Sequence, residues 1–473
     1  MNQSLPTRID SYQDALNWLY ARIDYEKERP VGQNNPFRLE RIRTLLSLIG
    51  SPHERIPAVH IAGTKGKGST AAMAESILRH SGYRTGLFTS PHIDRFEERL
   101  RVNGVLPNEQ ELTGLIGDLN QRLIAAAGDS NERPPTFFEV STLLAWMYFD
   151  RHRVDVAILE TGLGGRLDCT NVCQPLVTVI TSIGLDHTHI LGSTIAAIAG
   201  EKAGIIKPGV PVISGQLPPA AEEVVARVAA DHHCQRICLG QQLQVVEEAS
   251  RKEAGPDHAF AVSLGERRFP ELQIPLAGAH QRGNAAMATA AALEADHQLQ
   301  TRRSTSGRIT LETIRQGLRA TRWPLRFEWL QTRERIPVLL DAAHNVDSVT
   351  AVLNTLRQSA RMTSPSTLIF AASADKDAEG MLRVLVPAFD QIIVTRFVDN
   401  PRGVDPVLLA ETAMARNLCA ASQIRTAPNP NEALQLARQR TPPSGLICGT
   451  GSLFLAAELR RLLTDAAPFG ISE

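Results

Sequence analysis

The sequence lacks an excess of charge of either sign. Its 50 lysine and arginine residues balance 50 aspartate and glutamate residues in a chain of 473 residues. A neutral balance gives no electrostatic reason to expect nucleic acid or an anionic membrane surface as the main partner. The sequence also lacks the run of about 18 apolar residues that a membrane-spanning helix requires. We therefore expect no nucleic acid and no membrane among its partners.

Cysteine is scarce, with six residues in the whole chain, too few for a disulfide framework at this length. A metal site is conceivable at Cys169 with Cys173 and at residues 232–238, but neither place has the C-x-x-C pairing of structural zinc. Free thiols in a reducing cytoplasm are the favoured interpretation. The N-terminus has no apolar core preceded by positive charge, so a signal peptide is not predicted and we expect a cytoplasmic protein.

Strand and helix patterns alternate along the chain in two series. Apolar runs rich in valine and isoleucine, such as "AVHIA", "VDVAILET" and "LVTVITSI", predict strands covered on both faces of a parallel sheet. After the stretch "TRWPLRFEWL" a second series begins with "IPVLLDAAHN". The alternation predicts two α/β domains.

The segment "VHIAGTKGKGSTAAMAESIL" reads as a strand, a glycine-rich turn and a helix. It departs from the standard phosphate-loop pattern, since Ile61 stands at the first glycine and Gly68 separates Lys67 from Ser69. Glycines let backbone N–H groups point inward, and the helix N-terminus adds positive potential for phosphate. A plain turn would need neither three glycines nor two lysines, so we predict a nucleotide phosphate site.

Charged residues follow two further apolar strands. Glu160 ends one of them, and Asp186 and His187 follow another, while Ser90 ends the strand between the loop and Glu160. Such positions at the carboxyl ends of parallel strands are where open α/β sheets bind ligands. Each acid alone would more simply cap a helix or pair with an arginine. Their convergence beside a phosphate loop favours a divalent metal site.

Several motifs in order resemble one known family. They are "GTKGKGST", "TSPHIDRFEERLRVNG", "LETGLGGRLDCTN", "SIGLDHTHILG", "GEKAGIIKPG", "DAAHN" and "GTGSLFLA". Together they are similar to the folylpolyglutamate synthase/dihydrofolate synthase family, the folate branch of the Mur ligases, over nearly the whole chain. The odd glycine of the phosphate loop belongs to the G-K-G-S form that this family uses.

The resemblance implies an α/β fold with an N-terminal P-loop ATPase domain on a mostly parallel sheet and a smaller C-terminal Rossmann-like α/β domain. We place the ATP-binding domain at residues 1–322 with its loop at 63–70, the linker at about 321–326, and the glutamate-ligase domain at 326–473. It further implies a monomeric, ADP-forming ligase in which ATP converts a carboxylate into an acyl phosphate that the amino group of L-glutamate attacks. The implied substrates are ATP, L-glutamate and a reduced folate or dihydropteroate.

The resemblance also assigns residues. Lys67, Lys202 and His344 are the implied catalytic residues, and "AASADKD" lies with His344 where the family closes over glutamate. The implied cofactor is Mg²⁺, as two ions, and Lys202 is expected to be carbamylated so that it can act as an oxygen ligand. The implied ATP-binding residues are Gly63, Gly66, Lys67, Gly68, Ser69, Asn284, Arg326 and Asp341. The implied metal ligands are Ser90, Glu160, His187 and Lys202, and the implied substrate-binding residues are Phe137, Phe138, Leu167, Asp168 and Cys169.

Three positions depart from the family pattern. Lys65 replaces an asparagine, Ala342 a glycine and Val346 a proline. The alanine implies that the backbone at residue 342 does not require positive φ.

Two rival interpretations remain. A peptidoglycan Mur ligase would carry a separate domain of about 100 residues before the loop, and only about 60 residues precede Gly63. A P-loop nucleotide-binding protein without a ligase step would not need "DAAHN" or Arg326. The sequence leaves open whether dihydropteroate, folates or both accept the glutamate.

Overall fold

The computed structural model of the chain describes residues 8–24, 38–127, 133–248, 259–302, 307–359 and 361–464. The prediction about a signal peptide falls partly on residues 1–7, outside these ranges. The chain divides into two compact units: Met1–Pro275 with His280–Thr321, and Leu276–Ala279 with Arg322–Glu473. In the described ranges, no helix has the length and apolarity to cross a membrane.

A seven-stranded sheet forms the centre of the first unit. Its strands are β1 (Ala58–Ala62), β2 (Thr85–Phe88), β3 (Leu100–Val102), β4 (Val156–Glu160), β5 (Pro175–Ile180), β6 (Val212–Ser214) and β7 (Arg236–Cys238). They lie in the order β3-β2-β4-β1-β5-β6-β7, and only β3 runs antiparallel to its neighbour. Every residue of β1, β4 and β5 is buried, as the continuous apolar runs predict. The mostly parallel sheet is confirmed.

This order brings the functional strand ends together. Because β1 lies between β4 and β5, the loops after the phosphate-loop strand, the Glu160 strand and the His187 strand leave the same edge of the sheet. Helices cover both faces, as a buried parallel sheet requires. The α-helices up to residue 320 are α1 (Tyr12–Tyr20), α2 (Leu39–Ser47), α3 (Lys67–His80), α4 (Glu109–Ala127), α5 (Phe137–Arg151), α6 (Thr188–Leu191), α7 (Ile195–Ala203), α8 (Pro219–Asp231), α9 (Ala279–Arg302) and α10 (Leu311–Ala320).

A small antiparallel sheet follows the main one in the first unit. It consists of β8 (Leu243–Glu247), β9 (Phe260–Leu264) and β10 (Arg267–Leu272).

The second unit is also an α/β layer structure. Its six-stranded sheet has the order β11-β12-β16-β13-β14-β15, with β11 antiparallel and the others parallel, which confirms the predicted class. The strands are β11 (Glu328–Gln331), β12 (Pro337–Leu340), β13 (Ser366–Phe370), β14 (Gln391–Val394), β15 (Ile424–Thr426) and β16 (Leu446–Thr450). The helices are α11 (Val346–Gln358), α12 (Ala378–Leu385), α13 (Pro406–Ala415), α14 (Pro430–Arg440) and α15 (Leu453–Thr464).

Candidate active site

The glycine-rich loop joins β1 to α3, and the end of β5 holds its backbone. Thr64 N donates to Ser182 O at 2.7 Å, Lys65 N donates to Ser182 Oγ at 3.0 Å, and Thr181 Oγ1 donates to Lys65 O at 2.6 Å. These bonds hold the backbone of the loop against the residues that follow β5. The loop therefore presents the N-terminus of a 14-residue helix, where backbone N–H groups favour an anion.

Asn284 on α9 lies directly against this loop. Gly66 has a φ of +84°, and a Cβ atom there would lie 2.6 Å from Oδ1 of Asn284. Any other residue at position 66 would be strained in its backbone and would also collide with the amide. Two residues that were predicted from distant motifs to bind ATP are thus brought into contact.

Glu160 joins the ends of β2 and β4 to the loop. Its carboxylate is buried, with Oε1 3.8 Å from Lys67 Nζ and Oε2 accepting a hydrogen bond of 3.3 Å from Ser90 N. A buried carboxylate beside a loop lysine and a serine offers oxygen donors of the kind that Mg²⁺ prefers. Glu160 and Ser90 therefore fit the predicted metal site, and Lys67 is placed where phosphate oxygens would bind.

Lys202 reaches the loop from α7. Its side chain is buried, and Nζ donates a hydrogen bond of 2.8 Å to the carbonyl oxygen of Gly63. Burial, together with the charge of Lys67, lowers the pKa of the Lys202 amine from 10.5 to about 7. The sequence places this lysine next to Glu201 on a helix, where a solvated pair would be ordinary. The structure instead turns it into the site.

His187 differs from the other predicted metal ligands because it is exposed. It precedes α6 with a φ of 49°, and 46% of its side chain is accessible, with Nε2 4.0 Å from Asp186 Oδ1. Within the described ranges, no group of three His, Cys, Asp or Glu residues is arranged to hold a metal ion. The predicted set differs in kind, because it combines Ser90, Glu160 and His187 with a modified lysine.

The carboxylate of Asp168 shapes the glycine-rich turn after β4. Oδ2 accepts hydrogen bonds from Gly162 N at 2.9 Å and Leu163 N at 3.0 Å, and Oδ1 accepts from Thr170 N at 3.0 Å and Thr170 Oγ1 at 2.6 Å. Burial raises the pKa of Asp168, and these hydrogen bonds oppose the rise. Asp168 was predicted to bind substrate, but in this structure its hydrogen bonds all serve the loop.

The two adjacent phenylalanines at the start of α5 have different environments. Phe137 is 1% exposed and stacks on Tyr20 at a centroid distance of 5.8 Å, so it belongs to the core and not to a substrate surface. Phe138 is half-buried, and a Cβ atom at Gly162 would lie 2.5 Å from its ring. Of the two phenylalanines, Phe138 is therefore the one that packs against the glycine-rich turn. The other predicted substrate-binding residues Leu167 and Cys169 are half-buried in the same turn.

In the second unit, Asp341 organises the turn after β12. Its carboxylate accepts hydrogen bonds of 2.8 Å from Phe327 N and from Ala343 N. Burial raises the pKa of Asp341, while the neighbouring Arg326 opposes that rise. His344 Nδ1 lies 3.0 Å from Ala342 O, so this nitrogen carries the proton and donates it. The backbone at Ala342 does not adopt a positive φ, as the alanine predicts.

Sequence reasoning missed Arg402. Its backbone carbonyl accepts a hydrogen bond of 2.8 Å from Ala374 N, and its guanidinium lies 3.8 Å from Asp375, which is also 3.9 Å from Lys376. Two cations and a carboxylate thus gather at the "AASADKD" turn. The tetrapeptide "NPRG" after a buried strand is the sequence signal that marks this arginine.

The comparisons with known proteins agree with this two-unit fold. The Mur ligase middle domain matches residues 61–292, and the Mur ligase, glutamate ligase domain matches residues 325–453. Fold and site therefore define a two-domain Mur-type ligase. Dihydrofolate synthase/folylpolyglutamate synthase of Bacillus subtilis (strain 168) is 35% identical over 458 residues, which cover 96% of this chain and 99% of that protein.

Solved structures give the same result. A complex of folylpolyglutamate synthase with AMPPCP and folate is 31% identical, has a TM-score of 0.80, and is matched over 96% of this chain and 100% of that one. Mycobacterium tuberculosis folylpolyglutamate synthase complexed with ADP and AMPPCP is 31% identical with a TM-score of 0.80, over 90% of this chain and 95% of that one. The chain belongs to the folylpolyglutamate synthase/dihydrofolate synthase family. The predicted enzyme class, a carboxylate–amine ligase, is confirmed.

Proposed function

We propose that the protein joins L-glutamate to the carboxylate of a reduced folate, with conversion of ATP to ADP and phosphate. The observation that supports this proposal is that Lys67, Glu160 and Lys202 lie together at the glycine-rich loop, where the N-terminus of α3 favours an anion. The relatives named above supply the substrate class. We further propose that the protein acts as a monomer in the cytoplasm.

The first step forms the acyl phosphate. The backbone N–H groups of the loop and the ammonium of Lys67 hold the ATP phosphates and spread the charge that develops on the transferred group. Asn284, which touches Gly66, orients the nucleotide from the other side of the loop. Ser90, Glu160, His187 and carbamylated Lys202 would hold Mg²⁺, and the chemistry that the ion would supply is neutralisation of phosphate charge.

The second step brings glutamate to the acyl phosphate. The cations of Lys376 and Arg402 suit the carboxylates of L-glutamate, and Asp375 between them suits its ammonium group. Deprotonation of that ammonium then leaves a nucleophilic amine. His344, whose Nδ1 proton is committed to Ala342 O, presents Nε2 as the basic nitrogen of the imidazole. Arg326 and Asp341 are assigned to the nucleotide.

A product assay tests the proposal. The protein is incubated with ATP, L-glutamate and either tetrahydrofolate or dihydropteroate, and ADP and the glutamylated product are measured. ADP in proportion to both co-substrates supports a ligase, and the two acceptors separate a monofunctional from a bifunctional enzyme. Steady ATP turnover without glutamate would support the non-ligase alternative, and product only from another amine or carboxylate would indicate a different Mur-type ligase.

The metal assignment makes a separate prediction. Glu160→Gln and His187→Ala should each raise the Mg²⁺ concentration for half-maximal activity by about 10-fold or remove activity, because each loses one ligand. Magnesium titrations measure the effect. Glu312→Gln on α10 is the matched control for Glu160→Gln, because it removes an exposed carboxylate that accepts a hydrogen bond from Gln316 within its own helix. Titrations identical to the unmodified protein would make Glu160 and His187 structural residues.

A further inference from the structure

His60 is a buried histidine in β1, three residues before Gly63 of the phosphate loop. Its side chain is fully buried, and burial, with the nearby charge of Lys207, lowers its pKa to about 3. The imidazole is therefore neutral under any working condition. A neutral ring has one N–H donor and one acceptor, and which nitrogen carries the proton depends on its partners.

The partners of His60 determine its tautomer. Nε2 lies 2.8 Å from Thr170 Oγ1, and the same hydroxyl donates its only proton to Asp168 Oδ1 at 2.6 Å. The hydroxyl must therefore accept from the imidazole, so Nε2 carries the proton. Nδ1 is buried and has no hydrogen-bond partner among the residues that the structure describes. In the described part of the chain, the ring therefore makes one hydrogen bond, to Thr170.

The contact continues into the substrate side of the site. Asp168 holds the N–H groups of Gly162 and Leu163. In the same turn, a Cβ atom at Gly165 would lie 2.8 Å from the carbonyl oxygen of Glu201, the residue before Lys202. A continuous chain of hydrogen bonds thus runs from His60 in β1 through Thr170 and Asp168 to the backbone of Gly162 and Leu163. Phe138 packs against the same turn.

We propose that His60 is a positioning residue that holds the glycine-rich turn 162–171 in its substrate-binding shape through Thr170 and Asp168. The assignment of that turn to the folate rests on the proposed function, but the chain of hydrogen bonds does not. A buried histidine that merely fills the core would tolerate leucine with a loss of stability alone. A positioning histidine requires an N–H donor at the place of Nε2.

The kinetic test uses four variants. His60→Leu and Thr170→Val should each raise KM for the folate by about five- to ten-fold, the size expected when one buried hydrogen bond is lost, and KM for ATP should change by less than about two-fold. The double variant should be no worse than either single one, because both break the same chain of hydrogen bonds. His60→Gln should restore most of the affinity, since its amide nitrogen reaches the position of Nε2.

His53→Leu is the matched control. His53 is also a buried histidine whose pKa is lowered by burial, but it packs against Trp146. This variant should lose stability without a change in KM for the folate. The proposal would be overturned if His60→Leu and His53→Leu changed KM for the folate and KM for ATP equally. It would also be overturned if His60→Gln did not recover the affinity for the folate.

Hydrogen exchange gives a readout that needs no activity. In His60→Leu and Thr170→Val, the amides of Gly162 and Leu163 should exchange about 10-fold faster than in the unmodified protein, and those of His60→Gln should not. Unchanged exchange would refute the positioning role. Faster exchange in a protein that ligates no glutamate would refute the proposed function and leave the role of His60 intact.

Discussion

Lys67→Ala is expected to lower the rate of ligation by about 100-fold or more while the protein remains folded. Lys67 opens α3 and is half-buried, with its ammonium 3.8 Å from the carboxylate of Glu160. Its charge acts where the transferred phosphoryl group develops negative charge, and fixed donors at such positions are commonly worth about 10²–10³ in rate. The ligation assay measures the rate, and the thermal unfolding midpoint checks the fold.

Lys65→Asn, in the same loop, is the comparison variant. It removes a neighbouring positive charge but restores the residue that the family uses there, and the backbone of residue 65 stays bonded to Ser182. We expect an effect of less than about 10-fold, because Lys65 lies outside the G-K-G-S core to which the phosphate contacts are assigned. If Lys67→Ala turned over almost normally, or if both variants lost activity equally, Lys67 would not be the catalytic cation.

The parts of the site that follow local rules could be predicted from the sequence. A strand, three glycines, a lysine and a helix start define the phosphate loop within 12 residues (59–70). The meeting of Glu160 and Ser90 follows from parallel strands, whose carboxyl ends share one edge of the sheet. These inferences need no knowledge of side-chain packing.

Other parts depend on packing that no local pattern records. His60 lies in an apolar strand and looks like core, and its partner Thr170 is 110 residues away. Phe137 and Phe138 are chemically identical, so only the orientation of α5 decides which ring enters the core. Similarly, the spacing around Asp168 shows a short polar side chain in a turn, but not that its four hydrogen bonds close that turn.

Lys202→Ala and Lys202→Arg are both expected to be inactive, with the alanine variant partly rescued by a short added carboxylate such as formate or acetate. An ammonium has three donors and no lone pair, so it cannot bind Mg²⁺ directly. Reaction of the neutral amine with carbon dioxide forms the N–C bond of a carbamate and releases one proton to solvent. The carbamate shares one negative charge between two oxygens and keeps one N–H for the carbonyl of Gly63. A pKa of about 7 leaves half of the amine neutral at pH 7, a far larger share than the ordinary value allows.

The sign of the pH dependence follows from the same shift. The neutral, reactive amine increases as the pH rises through about 7, so carbamate formation at fixed dissolved carbon dioxide should increase between pH 6 and 8. Protein prepared with ¹³C-labelled bicarbonate should show a carbamate carbon resonance in NMR spectra. The resonance should be absent in both Lys202 variants, and it should weaken at the acidic end of this range.

The arginine variant separates the carbamate from the simpler role that the structure displays. Lys202 donates a hydrogen bond to Gly63 O, and a permanently charged guanidinium would supply a donor and a positive charge at that place. If the hydrogen bond to the loop were the whole function, Lys202→Arg would keep activity and added carboxylate would do nothing for Lys202→Ala. A guanidinium cannot form the carbamate at neutral pH, so Lys202→Arg should be inactive. If it is inactive and added carboxylate also rescues Lys202→Ala, the site requires an anionic oxygen ligand at residue 202.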